Sequence, residues 1–273
     1  MNDRIEVTRE PVSSIHLLAE DVLYRAVLKP SGVHTASLSK DDTSVATWLC
    51  KHFPEHAGIG SISDAGLAHR LDLETSGVII AARSQETWLH LRELFSRNQV
   101  TKWYVALVEG VLPTSTICTA AIATRYRHSK TVTPILPERA GEAPYRQRFH
   151  SIQPARSTFF PLAQLATNGP SLVAVFLETG RRHQIRAHAA SLGHPLAGDT
   201  KYGAKTYPSV LGERAFLLHS LGISFIGFDG ARRTYLSLDS LPAAIAAMIE
   251  RSWHTIDNDG ARFFSLPNPP LLS

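Results

Sequence analysis

The amino-acid sequence predicts one α+β domain built around a mixed sheet. Apolar runs of strand length, rich in β-branched residues, occur at 22–28, 78–82, 103–108 and 172–177. Segments with the apolar spacing of a helix occur at 43–52, 84–95, 184–192 and 242–251. Of the 273 residues, 44% are hydrophobic and 19% are charged, which supports a sizeable core and excludes an intrinsically disordered chain.

The first half of the chain has clear boundaries between these elements. The turn sequence KPSG ends the first strand, and Asp42 or Thr43 is the expected cap of the first helix. Ser84 follows the second strand and is suited to cap a helix that runs through Phe95. We therefore predict the order strand, helix, strand, helix.

The second half is less evenly defined. Gly110 and Gly180 follow the third and fourth strands as stops. Gly193 is placed to end the third helix in the left-handed conformation, and Pro195 prevents its continuation. Residues 111–170 give no clear assignment.

We expect residues 1–19 to form a short lead, 20–252 the domain and 253–273 an irregular tail. The N-terminus alternates charges and does not resemble a secretory signal. The most apolar stretch, 215–228, falls short of the roughly 20 residues needed to span a bilayer. The two cysteines are too few for a metal knuckle or a disulfide framework, which favours a reducing compartment. The sequence thus predicts a cytoplasmic protein without membrane contact.

The charge balance favours a polyanionic partner. The formal net charge is +4, and the basic string RYRHSK at 125–130 precedes a stretch rich in Pro, Gly and Glu. This pattern predicts an exposed loop. Contact with a phosphate backbone and a solvated surface hairpin both remain open as explanations.

The most informative string lies directly before the second strand. Residues 69–77 read HRLDLETSG, which places Asp72 on a loop at a strand entrance, a common position for a functional group. For an isolated aspartate, the better interpretation is a turn residue that accepts hydrogen bonds from Thr75 or Ser76. The surrounding motif has to decide between the two.

This string resembles the HRLDxxTSG motif of the RluA-type pseudouridine synthases. Further motifs of that family follow in order, namely KWY at 102–104, GRRHQIRAH at 180–188, and GHPLAGD with a later YG at 193–203. KPSG and LLH are additional matches, so the resemblance extends from about residue 20 to about residue 250. Residues 141–149 lack the usual Thr-x-Tyr, and Arg182 replaces a usual Thr or Ser, which concerns substrate choice more than chemistry.

The resemblance implies a pseudouridine synthase fold, with a largely antiparallel central sheet and flanking helices and loops. It implies an isomerase that converts uridine to pseudouridine in structured RNA, either rRNA or tRNA. No cofactor and no metal are expected, and a monomer is favoured. Three catalytic residues follow from the motifs: Asp72 as the nucleophile, Arg186 as its bidentate partner, and Tyr104 as a stacking residue and proton acceptor.

The same resemblance supplies candidate RNA-binding residues. Arg70 corresponds to the residue that fills the gap left by a flipped base, although a lone arginine more often forms a surface salt bridge. Lys102 lies on the same strand face as Tyr104, so both side chains point into the site or neither does. The remaining candidates are His69, Arg181, Arg182 and His183. The histidines at 183, 188 and 194 are better explained by packing and hydrogen bonding than by metal ligation.

Other functions are less well supported by the sequence. Residues 58–63 read GIGSIS and lack the last glycine of a dinucleotide-binding motif, and no GxSxG is present for a serine hydrolase. A nucleosidase that uses Asp72 with Glu74 or Glu178 is chemically closer. A non-catalytic RNA-binding or ribosome-assembly protein that retains the fold is the main alternative from another class.

Overall fold

The computed structural model describes residues 14–36, 43–61, 63–127, 129–140, 148–212 and 214–258. The strands in these ranges are β1 His16–Glu20, β2 Tyr24–Lys29, β3 Ser76–Ala82, β4 Thr101–Val108, β5 Thr116–Cys118, β6 Ala121–Thr124, β7 Thr133–Ile135, β8 Ser151–Gln153, β9 Ser157–Gln164, β10 Ser171–Leu177, β11 Leu218–Ile226 and β12 Arg232–Leu236. The helices are α1 Val45–His52, α2 Gln85–Ser96, α3 Pro137–Ala140, α4 Gln184–Ser191 and α5 Ala243–Asn258.

The main sheet has nine strands and is mixed but mostly antiparallel. Its order is β1-β2-β3-β11-β4-β10-β9-β5, and β12 pairs with β11 beyond the end of the β3 contact. Only the pairing of β3 with β11 is parallel among the described strand pairs of this sheet. A second sheet has the order β7-β6-β8. The predicted α+β class with a largely antiparallel sheet is confirmed.

Side chains alternate along the central strand β4 between two apolar cores. One core contains Tyr104, Ala106 and Val108 and is covered by α1 and α4. The other contains Trp103, Val105 and Leu107 and is covered by α5. This period-two alternation places Tyr104 and Lys102 on the face that α4 covers.

Several predicted boundaries need correction. The first long strand begins at Tyr24, because Val22 lies in the preceding turn with 83% of its surface exposed. Helix α1 is capped by Ser44 instead of Asp42 or Thr43, because the Ser44 hydroxyl accepts from the Thr47 amide and closes a capping box. Ser84 caps α2 as predicted.

The predicted terminal segments also change. The lead 1–19 contains most of β1, and residues 253–258 of the predicted irregular tail continue α5. The rest of the tail lies outside the described residues, as does most of the unusual segment 141–149. The unassigned region 111–170 contains β5 to β9.

Across the described part of the chain, no helix has the length and apolar character needed to cross a membrane.

Candidate active site

Asp72 lies on the short loop that leads into β3. Its side chain is 29% exposed, and no described residue is within hydrogen-bonding distance of the carboxylate. The turn interpretation is therefore wrong at the side-chain level. The Thr75 hydroxyl is buried and has no hydrogen-bond partner among the described residues, and the Ser76 hydroxyl lies 2.9 Å from Nδ1 of His219.

The KPSG turn after β2 fixes the backbone of this loop. The fully buried Nζ of Lys29 donates to the carbonyl oxygens of Val33 at 2.6 Å, Leu73 at 2.9 Å and Pro30 at 3.0 Å. Ser31 and Gly32 donate to the carbonyls of Glu74 and Leu73 at 2.8 and 2.9 Å. Lys29 was not predicted as a site residue, although the KPSG motif was the signal that pointed to it.

A cleft of about 470 Å³ lies in front of Asp72. All nine residues proposed from the motifs line it: His69, Arg70, Asp72, Lys102, Tyr104, Arg181, Arg182, His183 and Arg186. Lys102 and Tyr104 therefore both face the site, which is the first of the two outcomes that strand alternation allowed. The walls come from the loop before β3, from β4, from the C-terminal part of α2 and from the first turn of α4.

Positively charged side chains surround Asp72 in the cleft. Burial raises the pKa of the Asp72 carboxyl, and four cations oppose that shift by stabilising the ionised form, namely Arg186, Arg182, Lys29 and Arg70. A carboxylate that is partly desolvated and unpaired keeps its lone pairs available for attack.

The structure gives Arg186 a different partner from the one expected. Its Nε and Nη2 donate to Asp199 at 2.6 and 2.8 Å, and both side chains are almost fully buried. The predicted bidentate pairing with Asp72 is thus wrong, because the GD motif places Asp199 where the guanidinium fork can reach it. Arg186 acts on Asp72 only through its charge.

Among the described basic side chains, only His183 lies within 4.0 Å of the Asp72 carboxylate, with its Nε2 at 3.9 Å from Oδ1. Its backbone has φ +51°, so the residue turns the chain into α4 in the left-handed region. Nδ1 lies 2.9 Å from the Tyr202 hydroxyl, which accepts a hydrogen bond from the Val132 amide at 3.0 Å. If the Tyr202 hydroxyl donates its own proton to Nδ1, then Nδ1 is an acceptor without a proton. The neutral His183 ring in that case carries its proton on Nε2, facing Asp72.

Burial is the main cause that lowers the pKa of His183 to about 4, and the nearby Arg186 and Arg182 add to it. The ring is therefore neutral near pH 7. Burial likewise raises the pKa of Tyr104 to about 12, so its phenol is protonated at that pH. The nearby Ser220 side chain opposes this rise in the pKa of Tyr104.

The three other basic candidates, Arg70, Arg181 and Arg182, differ in whether their guanidinium groups bind another part of the protein. No carboxylate of the described chain lies within salt-bridge distance of Arg70, which is exposed at the cleft. Arg181 donates through Nε to the Pro154 carbonyl at 3.1 Å, and Arg182 binds the carbonyls of Ser129 and Thr131. Arg182 thereby ties the basic loop to the cleft.

Three further histidines of the motifs have structural partners. His69 accepts from the Ile80 amide at 3.0 Å and stacks on Phe95 with 4.5 Å between ring centroids. His188 contacts Ser157 and the Ala120 carbonyl, and His194 contacts the Glu109 carbonyl. Within the described ranges, no group of three or more His, Cys, Asp or Glu side chains is arranged to hold a metal ion.

Comparison with known proteins decides the family. The family model described as RNA pseudouridylate synthase matches residues 24–191. The chain belongs to the RNA pseudouridylate synthase family. The recognition of an RluA-type member from its motifs is thereby confirmed.

Curated members of the RNA pseudouridylate synthase family are similar over most of this chain. A ribosomal large subunit pseudouridine synthase D of Zymomonas mobilis is 29% identical over 218 residues, which cover 78% of this chain and 64% of that protein. An uncharacterized RNA pseudouridine synthase, YlyB of Bacillus subtilis, is 32% identical over 256 residues, covering 91% of this chain and 76% of that protein. The chain spans about half to two thirds of the length of three curated relatives, the Zymomonas protein among them.

A solved structure supports the fold assignment. The human RNA pseudouridylate synthase domain containing 1 protein superposes with a TM-score of 0.66 at 22% identity, covering 88% of this chain and 90% of that chain. The pseudouridine synthase fold is therefore shared, independently of the motif positions.

Proposed function

We propose that this protein is an RNA pseudouridine synthase that isomerises specific uridines in rRNA or tRNA, with Asp72 as the nucleophile. The observation that carries the proposal is the Asp72 carboxylate, which is partly exposed in a cation-lined cleft and has no hydrogen-bond partner among the described residues. Family membership and the ribosomal large subunit named for the Zymomonas relative support the RNA substrate.

The reaction is an isomerisation with no net gain or loss of electrons. The bond between N1 of uracil and the sugar carbon breaks, the base turns, and carbon 5 of uracil bonds to the same sugar carbon. Carbon 5 loses its proton and N1 gains one. A carboxylate that adds to the sugar or to the base provides the temporary covalent bond that both alternatives require.

Tyr104 lines the same cleft as Asp72 and is suited to stack on the uracil ring. Its pKa of about 12 means that a phenolate is scarce near pH 7, so the stacking role is better supported than that of a proton acceptor. Arg186, fixed by Asp199, supplies positive charge that keeps Asp72 ionised.

His183 acts as a positioning residue in this proposal. Its Nε2 is 3.9 Å from Asp72 Oδ1, so a shift of less than 1 Å on substrate binding would bring the two atoms into hydrogen-bond range. The donated proton would orient one carboxylate oxygen and leave the other free to attack. Tyr202 sets the tautomer that makes this possible.

The uracil has to leave the RNA stack before it can reach Asp72. Base flipping costs a few kcal/mol and is favoured by a side chain that fills the gap. Arg70 is exposed at the cleft and has no described carboxylate partner, which suits it to that role. The salt-bridge alternative for Arg70 has no support among the described residues.

The remaining parts of the proposal concern the context of the enzyme. Cys50 and Cys118 are both free, which supports the cytoplasm as the compartment. The protein is proposed to act as a monomer on structured RNA, without a metal or an organic cofactor.

A non-catalytic RNA-binding protein is the second candidate. Such a protein gains nothing from a carboxylate that faces the RNA phosphates, because the two negative charges repel each other. The presence of Asp72 in one cleft with Tyr104 and His183 therefore favours the enzyme.

Pseudouridine mapping of total RNA tests the proposal. Cells that lack the gene are complemented with the wild type or with Asp72→Asn, which keeps the side-chain size. We expect one or a few pseudouridines to be lost on deletion and restored only by the wild type. An unchanged map, or restoration by Asp72→Asn, would refute the proposed chemistry.

A further inference from the structure

Lys102 is a buried lysine whose ammonium group faces the cleft without a polar partner. The residue is only 6% exposed and lines the cleft, yet no described side chain or carbonyl is within hydrogen-bonding distance of its Nζ. The centroid of the Phe95 ring lies 6.0 Å from Nζ, and a methyl group added at Gly180 would lie 3.7 Å from it.

The charges around Lys102 do not compensate its own. Of the groups that face it, Arg181 from the segment before α4 is a cation. His69 from the loop before β3 is neutral near pH 7, since burial, with Lys102 as a second cause, lowers its pKa to about 3. Asp64, at the edge of the same cleft, is already bonded to the amide and hydroxyl of Ser61. Burial lowers the pKa of Lys102 to about 8, with Arg181 as a second cause.

The contrast with Lys29 shows what this arrangement lacks. Lys29 is also buried, but three carbonyl oxygens saturate its ammonium group. The Lys102 ammonium instead reaches the cleft surface, where its donors are left to water or to a ligand, and the low exposure of the residue favours a ligand of opposite charge. The ammonium group of Lys29 donates to three carbonyls, whereas that of Lys102 has no acceptor among the described residues.

We propose that Lys102, together with Arg181, forms a subsite for one backbone phosphate of the RNA, next to the nucleotide that enters the Asp72 site. Lys102 lies two residues from Tyr104 along β4, a separation of about 7 Å on the same strand face. That distance places the subsite beside the proposed uracil position. This inference rests on the proposed RNA substrate.

A phosphate fits this place better than a base carbonyl does. Arg181 is a second cation that acts on Lys102, and no described carboxylate offsets the Lys102 charge, so a full negative charge compensates this pair better than the dipole of a neutral carbonyl does. The exposed backbone of Gly180 leaves room for a phosphate beside Nζ, because a side chain there would stand within 3.7 Å of it.

The salt dependence of RNA binding tests the subsite. The probe is a short fluorescein-labelled single-stranded RNA with one uridine, bound by proteins that carry Asp72→Asn so that no turnover occurs. Replacing Lys102 by Met removes one phosphate contact, so the slope of log affinity against log salt should become less steep by about 0.7. Lys102→Arg should keep the parent slope, and Lys51→Met, an exposed lysine outside the cleft, is the control.

Two further readouts complete the test. Lys102→Met should not lower the thermal midpoint, because the variant loses a buried charge and no hydrogen bond within the described structure. Raising the pH from 7 to 9 should weaken RNA binding more for the Asp72→Asn parent than for its Lys102→Arg derivative, because the lysine then loses its charge.

Three results would overturn the subsite: an unchanged affinity, a lower affinity with an unchanged salt slope, or a loss of stability in Lys102→Met as large as in Lys29→Met. The first would show that Lys102 does not bind RNA, the second that it binds a neutral group, and the third that it is structural. Pseudouridine formation by the wild type is a separate measurement, so the proposed function and the subsite can fail independently.

Discussion

A carboxylate acts as a nucleophile only if one of its oxygens is free to reach the substrate. Asp72 meets this condition because no described neighbour forms a hydrogen bond with its oxygens. Arg186 is bound to Asp199, and Nε2 of His183 stays 3.9 Å away. The motifs predicted the position of Asp72 correctly. They did not reveal the partner of Arg186, because two carboxylates were within its possible reach and only the folded loop shows which one it binds.

The role of His183 can be tested with a matched pair of variants. In His183→Gln, an amide N–H can replace Nε2–H, whereas His183→Leu has a similar size and no donor. We expect His183→Leu to lower kcat by about 10- to 100-fold with little change in KM, and His183→Gln to retain more activity. Equal losses in both variants, measured by single-turnover kinetics, would contradict a donor role.

The pH profile gives an independent check on the same residue. Because the pKa of His183 is about 4, its ring should not titrate between pH 5 and 8. The wild type should therefore show no activity step in that range that disappears in His183→Gln. Such a step would mean that the ring is cationic in the working enzyme.

At the scale of elements, the turn after β2 and the loop before β3 form one unit, because Lys29 and Ser31 bind carbonyls on that loop. Leu73 lies 44 residues beyond Lys29 in the chain. Periodicity locates strands and helices but carries no information about such contacts, so the sequence identified KPSG as a turn and as a motif match without revealing which loop it contacts. The capping of α2 by Ser84 was predictable because all its partners are local.

Lys29→Met should be destabilising, in contrast to Lys102→Met. It leaves three carbonyls without their donor, which we expect to cost about 3 kcal/mol in urea unfolding. Burial is the main cause that lowers the pKa of Lys29 from 10.5 to about 7. The folded state thus releases a proton that the unfolded chain keeps.

The sign of the pH effect follows from that release. The wild type should gain stability as pH rises from about 7 towards 10, and it should lose this contribution as pH falls back through 7. Lys29→Met should lack this part of the pH dependence. Parallel pH curves for the two proteins would contradict the lowered pKa.

The parallel contact between β3 and β11 depends on Gly77. Its φ is +116°, and an added methyl group would lie 2.3 Å from the Ser220 carbonyl oxygen. Gly77→Ala should therefore destabilise the protein by several kcal/mol. Gly193 has φ +83° with nothing within 4 Å, so Gly193→Ala should cost only about 1 kcal/mol. Similar unfolding midpoints for the two variants would contradict a steric cause.

For the whole molecule, the sequence was sufficient to predict the fold class and the set of residues that meet in one cleft. The motifs stand before β3, on β4 and at the start of α4, and the sheet order brings these three places together. The region of β5 to β8 was not predictable, because strands of three or four residues show too little alternation. Their pairing partners are set by the whole sheet.

The most direct test of the central claim is the release of tritium from RNA that carries tritium at carbon 5 of uridine. Purified wild type should release it to water as pseudouridine forms. Asp72→Asn should bind the same RNA with similar affinity and release tritium at least about 1,000-fold more slowly. Release by Asp72→Asn at the wild-type rate would contradict Asp72 as the nucleophile, and no release by the wild type from any rRNA or tRNA would contradict the enzyme itself.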